Sequence, residues 1–141
     1  METIMGILET DEEIASLLRM ARTIAIVGLS GNPARDSHRV ARYLLDHGYA
    51  ILPVNPTVKE VLGVRSYPDL AAIGRRVDIV DVFRRPEFMP AIADAAVRAG
   101  AGSLWMQFDT CDAGAAASAA AAGMKVVADR CIMVEHRRLV A

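Results

Sequence analysis

This chain predicts an α/β fold: an open, doubly wound, mostly parallel sheet with helices on both faces, in a single domain. Three observations lead there. Short runs of β-branched and apolar residues alternate with helix-spaced segments of about ten residues, the pattern of successive βαβ crossovers. The strongest runs are apolar almost throughout rather than alternating in polarity, as in strands covered on both faces. Helical segments close on Gly48, Gly100 and Gly123, residues suited to a left-handed helix end.

Taken in order, Thr10 and Glu13 make a capping box for a helix over Asp11 to Arg22, with Ile14, Leu17, Leu18 and Ala21 on one face. Residues 1–22 are thus an N-terminal helix packed on the domain, and residues 23–141 are the domain. Thr23 to Val27 is the opening strand and stops at Gly28. A loop of small and polar residues follows, and Ser37 is a natural N-cap for a helix carrying Val40, Tyr43 and Leu44 to Gly48. Ala50 to Val54 is the second strand, ended by Asn55 and Pro56. Thr57 to Pro68 is irregular, with a short edge strand at Val64 to Ser66, and Asp69 caps a brief turn to Ile73.

Val77 to Phe83 is the next buried strand, interrupted by Asp78 and Asp81. Pro86 fits the first position of a helix that Ile92, Ala93, Ala96 and Val97 carry to Gly100. Ser103 to Gln107 forms a strand, Ala113 to Ala122 an alanine helix, Lys125 to Ala128 the last strand, and Cys131 to Arg138 a closing helix. Right-handed crossovers give the order 3-2-1-4-5-6, the edge strand counted third. A ligand of such a sheet sits beyond the carboxyl ends of the strands, beside strand one where the order reverses. Those ends carry Gly28 to Ser30, Val54 to Pro56, Phe83 to Pro86, Gln107 to Asp109 and Asp129 to Cys131.

Composition narrows the function. A net charge of -1 offers no general attraction to nucleic acid or to an anionic membrane. Cys111 and Cys131 have no metal-ligand spacing and make no disulfide framework, which favours a reducing cytoplasm. No apolar run approaches the ~18 residues that cross a bilayer. His38, His47 and His136 lie on different elements and form no catalytic or metal cluster, so no catalytic residue is assigned.

The strand, glycine turn and helix start of Thr23 to Ser37 aim unpaired amides and a positive helix end at one spot, which suits the phosphate of an adenine cofactor. The dinucleotide fingerprint fails, since Ser30 and Pro33 stand where its second and third glycines belong. The second strand ends in Pro-Val-Asn-Pro, without an acid for a ribose hydroxyl, which argues against NAD. No P-loop is present. Ser30 and Ser37 fit either a capping or a phosphate-binding role, and Asn55 either a turn or a binding role. Arg84 and Arg85 fit either solvated surface or bidentate pairing with a diphosphate. Arg35, Arg39 and Lys59 are in reach of an anion or simply exposed.

Gly28-Leu29-Ser30 with Pro33 and Ser37, Pro53 to Pro56, Leu62-Gly63, Val80 to Arg84, Trp105-x-Gln107 and Asp129-Arg130-Cys131 together resemble the small stand-alone CoA-binding proteins. These are similar to the nucleotide-binding domain of the succinyl-CoA synthetase alpha subunit. The resemblance covers almost the whole chain after Thr23. It implies a Rossmann-like fold that binds coenzyme A, with no established reaction for the isolated domain. The expected function is non-catalytic binding of coenzyme A or an acyl-CoA, and a regulatory protein whose partner contact is gated by CoA is a further reading. It further implies that Gly28, Leu29 and Ser30, with Asn32, Pro33 and Ser37, meet the phosphates. Val54, Asn55 and Pro56 would wall the adenosine; Phe83, Arg84 and Arg85 would flank the pyrophosphate or pantetheine; Gln107 would close the far side. Asp109 departs from the family's usual glycine and would narrow the pocket or repel an anion.

Cys131 stands where the cofactor thiol would arrive, as a small buried residue or as a partner in thiol exchange with oxidised CoA. The alternative functions are an NADP-linked oxidoreductase and a CoA-ligase type of activity completed by a partner subunit. A homodimer is the expected assembly, with the first helix and Trp105 as its surface.

Overall fold

The computed structural model describes residues 6–141. Its strands are β1 (Thr23–Val27), β2 (Ala50–Val54), β3 (Glu60–Val61), β4 (Val64–Arg65), β5 (Ile79–Val82), β6 (Ser103–Met106) and β7 (Lys125–Ala128). Its α-helices are α1 (Asp11–Met20), α2 (Asp36–Asp46), α3 (Met89–Arg98), α4 (Ala113–Ala121) and α5 (Ile132–Leu139). The main sheet has the order β2-β1-β5-β6-β7, with every ladder parallel. This is the doubly wound architecture expected from the sequence, with the reversal beside β1.

The third position of the expected order is nearly vacant. β4 pairs antiparallel with β3 in a small hairpin, and only Tyr67 reaches the sheet, through a parallel bridge to Val54. Each of those strands is two residues long, too short to extend the ladder. Ile7 bridges to Val126 at the opposite edge, where the Leu8 N–H donates to the Val126 carbonyl at 2.8 Å. Both edges of the sheet are therefore partly covered, which blunts edge-to-edge association.

Because strand side chains alternate between faces, each strand feeds two cores. Ile24, Ile26, Ile79, Trp105 and Val127 pack with Ile14 and Leu18 of α1, Val40 and Leu44 of α2, and Ile132 of α5. Ala25, Val27, Val80, Val82, Leu104, Met106 and Val126 pack under α3 and the small side chains of α4. Trp105 is fully buried and its indole N–H donates to the Arg130 carbonyl at 2.8 Å. It therefore offers no surface to a second copy, contrary to the expectation from the sequence, because the protomer's own α5 side covers it.

Two ties close the α1 and α5 face. The capping box at α1 forms as expected, Thr10 accepting from the Glu13 amide while Glu13 accepts from the Thr10 amide. Arg138 of α5 holds both Glu135 and Asp11 of α1, and those two carboxylates raise its pKa while it lowers that of Asp11. At the start of β1, Asp78 accepts the Arg22 and Thr23 amides at 2.8 and 3.1 Å. Burial pushes its carboxyl up, but these bonds outweigh that and hold it below the ordinary range.

Candidate functional site

Gly28 closes β1 with φ +87°, a conformation that L side chains disfavour, and a Cβ there would lie 2.6 Å from the Phe83 carbonyl oxygen. The residue has to be glycine because the β5 exit crosses directly over it. Its own amide donates to the Val54 carbonyl at 2.9 Å, so β1, β2 and β5 end at one place. From there the loop turns into α2, whose first helical residue is Asp36 and whose N-cap is Arg35.

Ser37 is thus not the N-cap. Its hydroxyl accepts the Ser30 amide at 3.0 Å, across seven positions of chain, and Ser30 in turn accepts the Asn32 amide at 3.0 Å. Asn32 accepts the Ala34 amide at 3.0 Å. The polar side chains of the loop are spent on holding its shape, while Arg35 makes no side-chain cap. Among the described residues the Asp36 and Ser37 amides find no acceptor, so the positive end of α2 stands open. A hollow of about 480 Å³ faces it, lined by Gly28, Ser30, Ala34, Arg35, Asp36, Ser37 and Phe83.

A second hollow of about 400 Å³ continues from Asp36 and Phe83 to Gln107, Phe108, Asp109 and Cys131, with Met133 and Val134 of α5 on its far wall. Gln107 is buried and its Oε1 accepts the Ile132 amide at 3.0 Å, capping α5 from across the sheet end. Cys131 is the N-cap of α5 and half-buried. Phe108 and Val134 remain exposed on the rim at 55% and 45%.

Other expected contacts divide. Asn55 donates to the Leu29 carbonyl at 2.9 Å and accepts from the Thr57 amide and hydroxyl, so it pins the glycine loop to the β2 exit and fills the turn role. Val54 cannot form an adenosine wall with its side chain, which is buried in the core with Leu52 and Leu70. Leu29 is likewise fully buried and offers only backbone. Pro33 and Pro56 are exposed on the loops that flank the first hollow.

Arg84 stacks over Phe88 at 4.2 Å, with its stem beside Gly28 and no carboxylate partner among the described residues. Arg85 pairs with Glu87 at 3.1 Å, far out in solvent. The first sits beside the glycine turn without a carboxylate partner among the described residues, and the second is surface. Reading the sequence missed Asp36, which lines both hollows and is paired with Arg39, and it missed Met133, while Phe108 lies in the Gln107 to Asp109 strand end it had marked. The signal for Asp36 was its place one residue before Ser37, at the true start of the helix.

Asp81 is fully buried on the β5 face between Ile26 and Trp105, and both its oxygens lack a partner. Burial drives its carboxyl well above the ordinary value, toward the neutral form.

The family model described as "CoA binding domain" matches residues 22–137. The chain belongs to the CoA-binding domain family. Among relatives of this family, it is similar to the uncharacterized protein YneT of Bacillus subtilis (strain 168), 40% identical over 124 residues that cover 88% of this chain and 92% of YneT. A hypothetical protein from Pyrococcus horikoshii OT3 matches with TM-score 0.92 and 41% identity, over 94% of either chain. A structure from Thermus thermophilus matches with TM-score 0.88 and 38% identity, over 93% of this chain and 99% of the other. The family assignment agrees with the resemblance read from the strand-end motifs. No helix of the described residues is long and apolar enough to cross a membrane.

Proposed function

We propose that this CoA-binding domain protein holds coenzyme A as a non-catalytic module. The observation that carries the reading is the open N-terminus of α2, whose first amides lack acceptors among the described residues although the Ser30, Asn32 and Ser37 side chains beside them are engaged elsewhere. A diphosphate there accepts those amides and meets the positive helix end. The guanidinium of Arg84 adds a charge-assisted contact from the β5 exit. The adenosine then lies toward Asn55 and the β3–β4 hairpin, where Val58 approaches Gly31, and the pantetheine runs along the second hollow toward Gln107 and Cys131.

Among the described residues no hydrogen bond links Asp36, Gln107, Asp109 and Cys131 to one another, so no acid-base pair stands out along these hollows, which favours storage, delivery or sensing of the ligand over turnover. The exposed Phe108 and Val134 beside the pantetheine path favour a regulatory version, in which ligand occupancy alters a protein contact. Isothermal titration with CoA and with NAD tests the proposal. CoA binding in the micromolar range or tighter, with NAD at least about tenfold weaker, is the expected result. Tighter binding of NAD reverses the assignment.

A further inference from the structure

A third hollow, of about 520 Å³, opens on the opposite face of the sheet, at the carboxyl ends of β6 and β7. Its wall is apolar: Ile7, Met106, Ala116, Ala117 and Ala128, with the Cys111 thiol. It shares a lining residue, Asp109, with the second hollow. The hollow exists because α4 presents only alanine side chains there, so the helix packs closely on the sheet at Ala115 and Ala119 yet leaves space past its first turn.

The charges around it are one-sided. Asp109, Asp112 and Asp129 line the hollow and no lysine or arginine does. Asp112 is occupied as the N-cap of α4, accepting the Ala115 amide at 2.8 Å. Burial, reinforced by the Asp129 and Asp109 charges, pushes the Cys111 thiol up despite an opposing hydrogen bond from the Asp129 backbone, so it remains a neutral apolar group. A second phosphate or a carboxylate-bearing group is repelled here. An uncharged hydrocarbon chain is not.

Resting on the coenzyme A reading above, we propose that the ligand is an acyl-CoA whose neutral acyl chain passes Asp109 into this alanine-walled hollow. The three hollows then form one path along the strand ends: diphosphate at α2, pantetheine past Phe83 and Gln107, acyl chain under α4. Dicarboxylic acyl groups are selected against by the same carboxylates that leave a neutral chain undisturbed.

Isothermal titration with CoA and with acetyl-, butyryl-, hexanoyl- and succinyl-CoA tests this on the full chain. Affinity is expected to rise with chain length by about fourfold per methylene buried, so that hexanoyl-CoA exceeds CoA by more than about tenfold. Succinyl-CoA is expected to bind more weakly than butyryl-CoA. In Ala117→Trp, a substitution at an exposed helix position, the chain-length gain disappears while CoA itself binds as before. Equal affinities for CoA and hexanoyl-CoA, or a gain that survives Ala117→Trp, overturn the acyl seat and leave CoA binding standing. Failure of every thioester and of CoA to bind overturns the underlying reading, and the acyl seat with it.

Discussion

Replacing Asp81 with asparagine removes a titratable proton from the middle of the sheet while keeping shape and size. In the folded chain the carboxyl is fully buried with neither oxygen paired, so it stays protonated well above its ordinary value of 3.8. In the unfolded chain it ionises normally. Above pH 3.8 the unfolded state has lost the proton and the folded state has kept it, so stability falls as pH rises, until the folded group itself ionises. The slope for one proton is about 1.4 kcal/mol per pH unit, or about 4 °C in Tm per pH unit for a domain of this size.

The asparagine variant lacks this loss. Its Tm is therefore expected to match the wild type near pH 4 and to exceed it progressively toward neutrality, in paired thermal melts at fixed ionic strength. Other groups titrate with the opposite sign, Asp11, Glu13, Asp78 and His136 among them, and they cancel in the difference between the two proteins. Asp78 is held low by its amide hydrogen bonds, and His136 is lowered by burial and by His47, so each contributes stability that is lost as pH falls. A Tm difference that stays flat between pH 4.5 and 7 means that the carboxylate is ionised and satisfied inside the fold, and the reasoning fails.

Gly28→Ala forces a Cβ to within 2.6 Å of the Phe83 carbonyl at positive φ, with a cost of about 2 kcal/mol or more and a loss of CoA affinity beyond tenfold, read by melts and titration calorimetry. Ser37→Ala leaves the Ser30 amide without its acceptor; a loss of about 1 kcal/mol in denaturant unfolding and weaker CoA binding are expected. Arg84→Ala should weaken CoA by about tenfold with a reduced salt dependence, whereas Arg85→Ala should stay within about twofold, since its guanidinium already faces Glu87 in solvent. Asp109 holds φ +62°, so Asp109→Gly should raise stability by up to about 1 kcal/mol in the same unfolding assay.

Much of the fold was legible because its signals are local. Apolar runs such as Ala50 to Val54 needed no context to be recognised as strands buried on both faces, and the parallel ladder between Ile24 and Ile51 follows from them. The Thr10 and Glu13 box was read correctly because its partners lie within one helical turn. Ser37 was misplaced because a better acceptor role waited seven residues away at Ser30, a bond that local capping rules do not contain. The third strand failed for a similar reason: Val64 and Arg65 found a nearer partner in Glu60 and Val61 than the sheet edge.

Sequence order and side-chain pattern determined the α/β class, the crossover topology and the strand ends that border the hollows, because periodicity and turn chemistry act within a few residues. Only the folded chain decided which groups at those ends face the hollows. It turned Val54 into the core, sent Arg85 to solvent, kept Arg84 beside Gly28 and brought Asp109 between two cavities. Those outcomes depend on how separate strands and helices pack against one another, and side-chain direction at a strand end is set by neighbours distant in sequence.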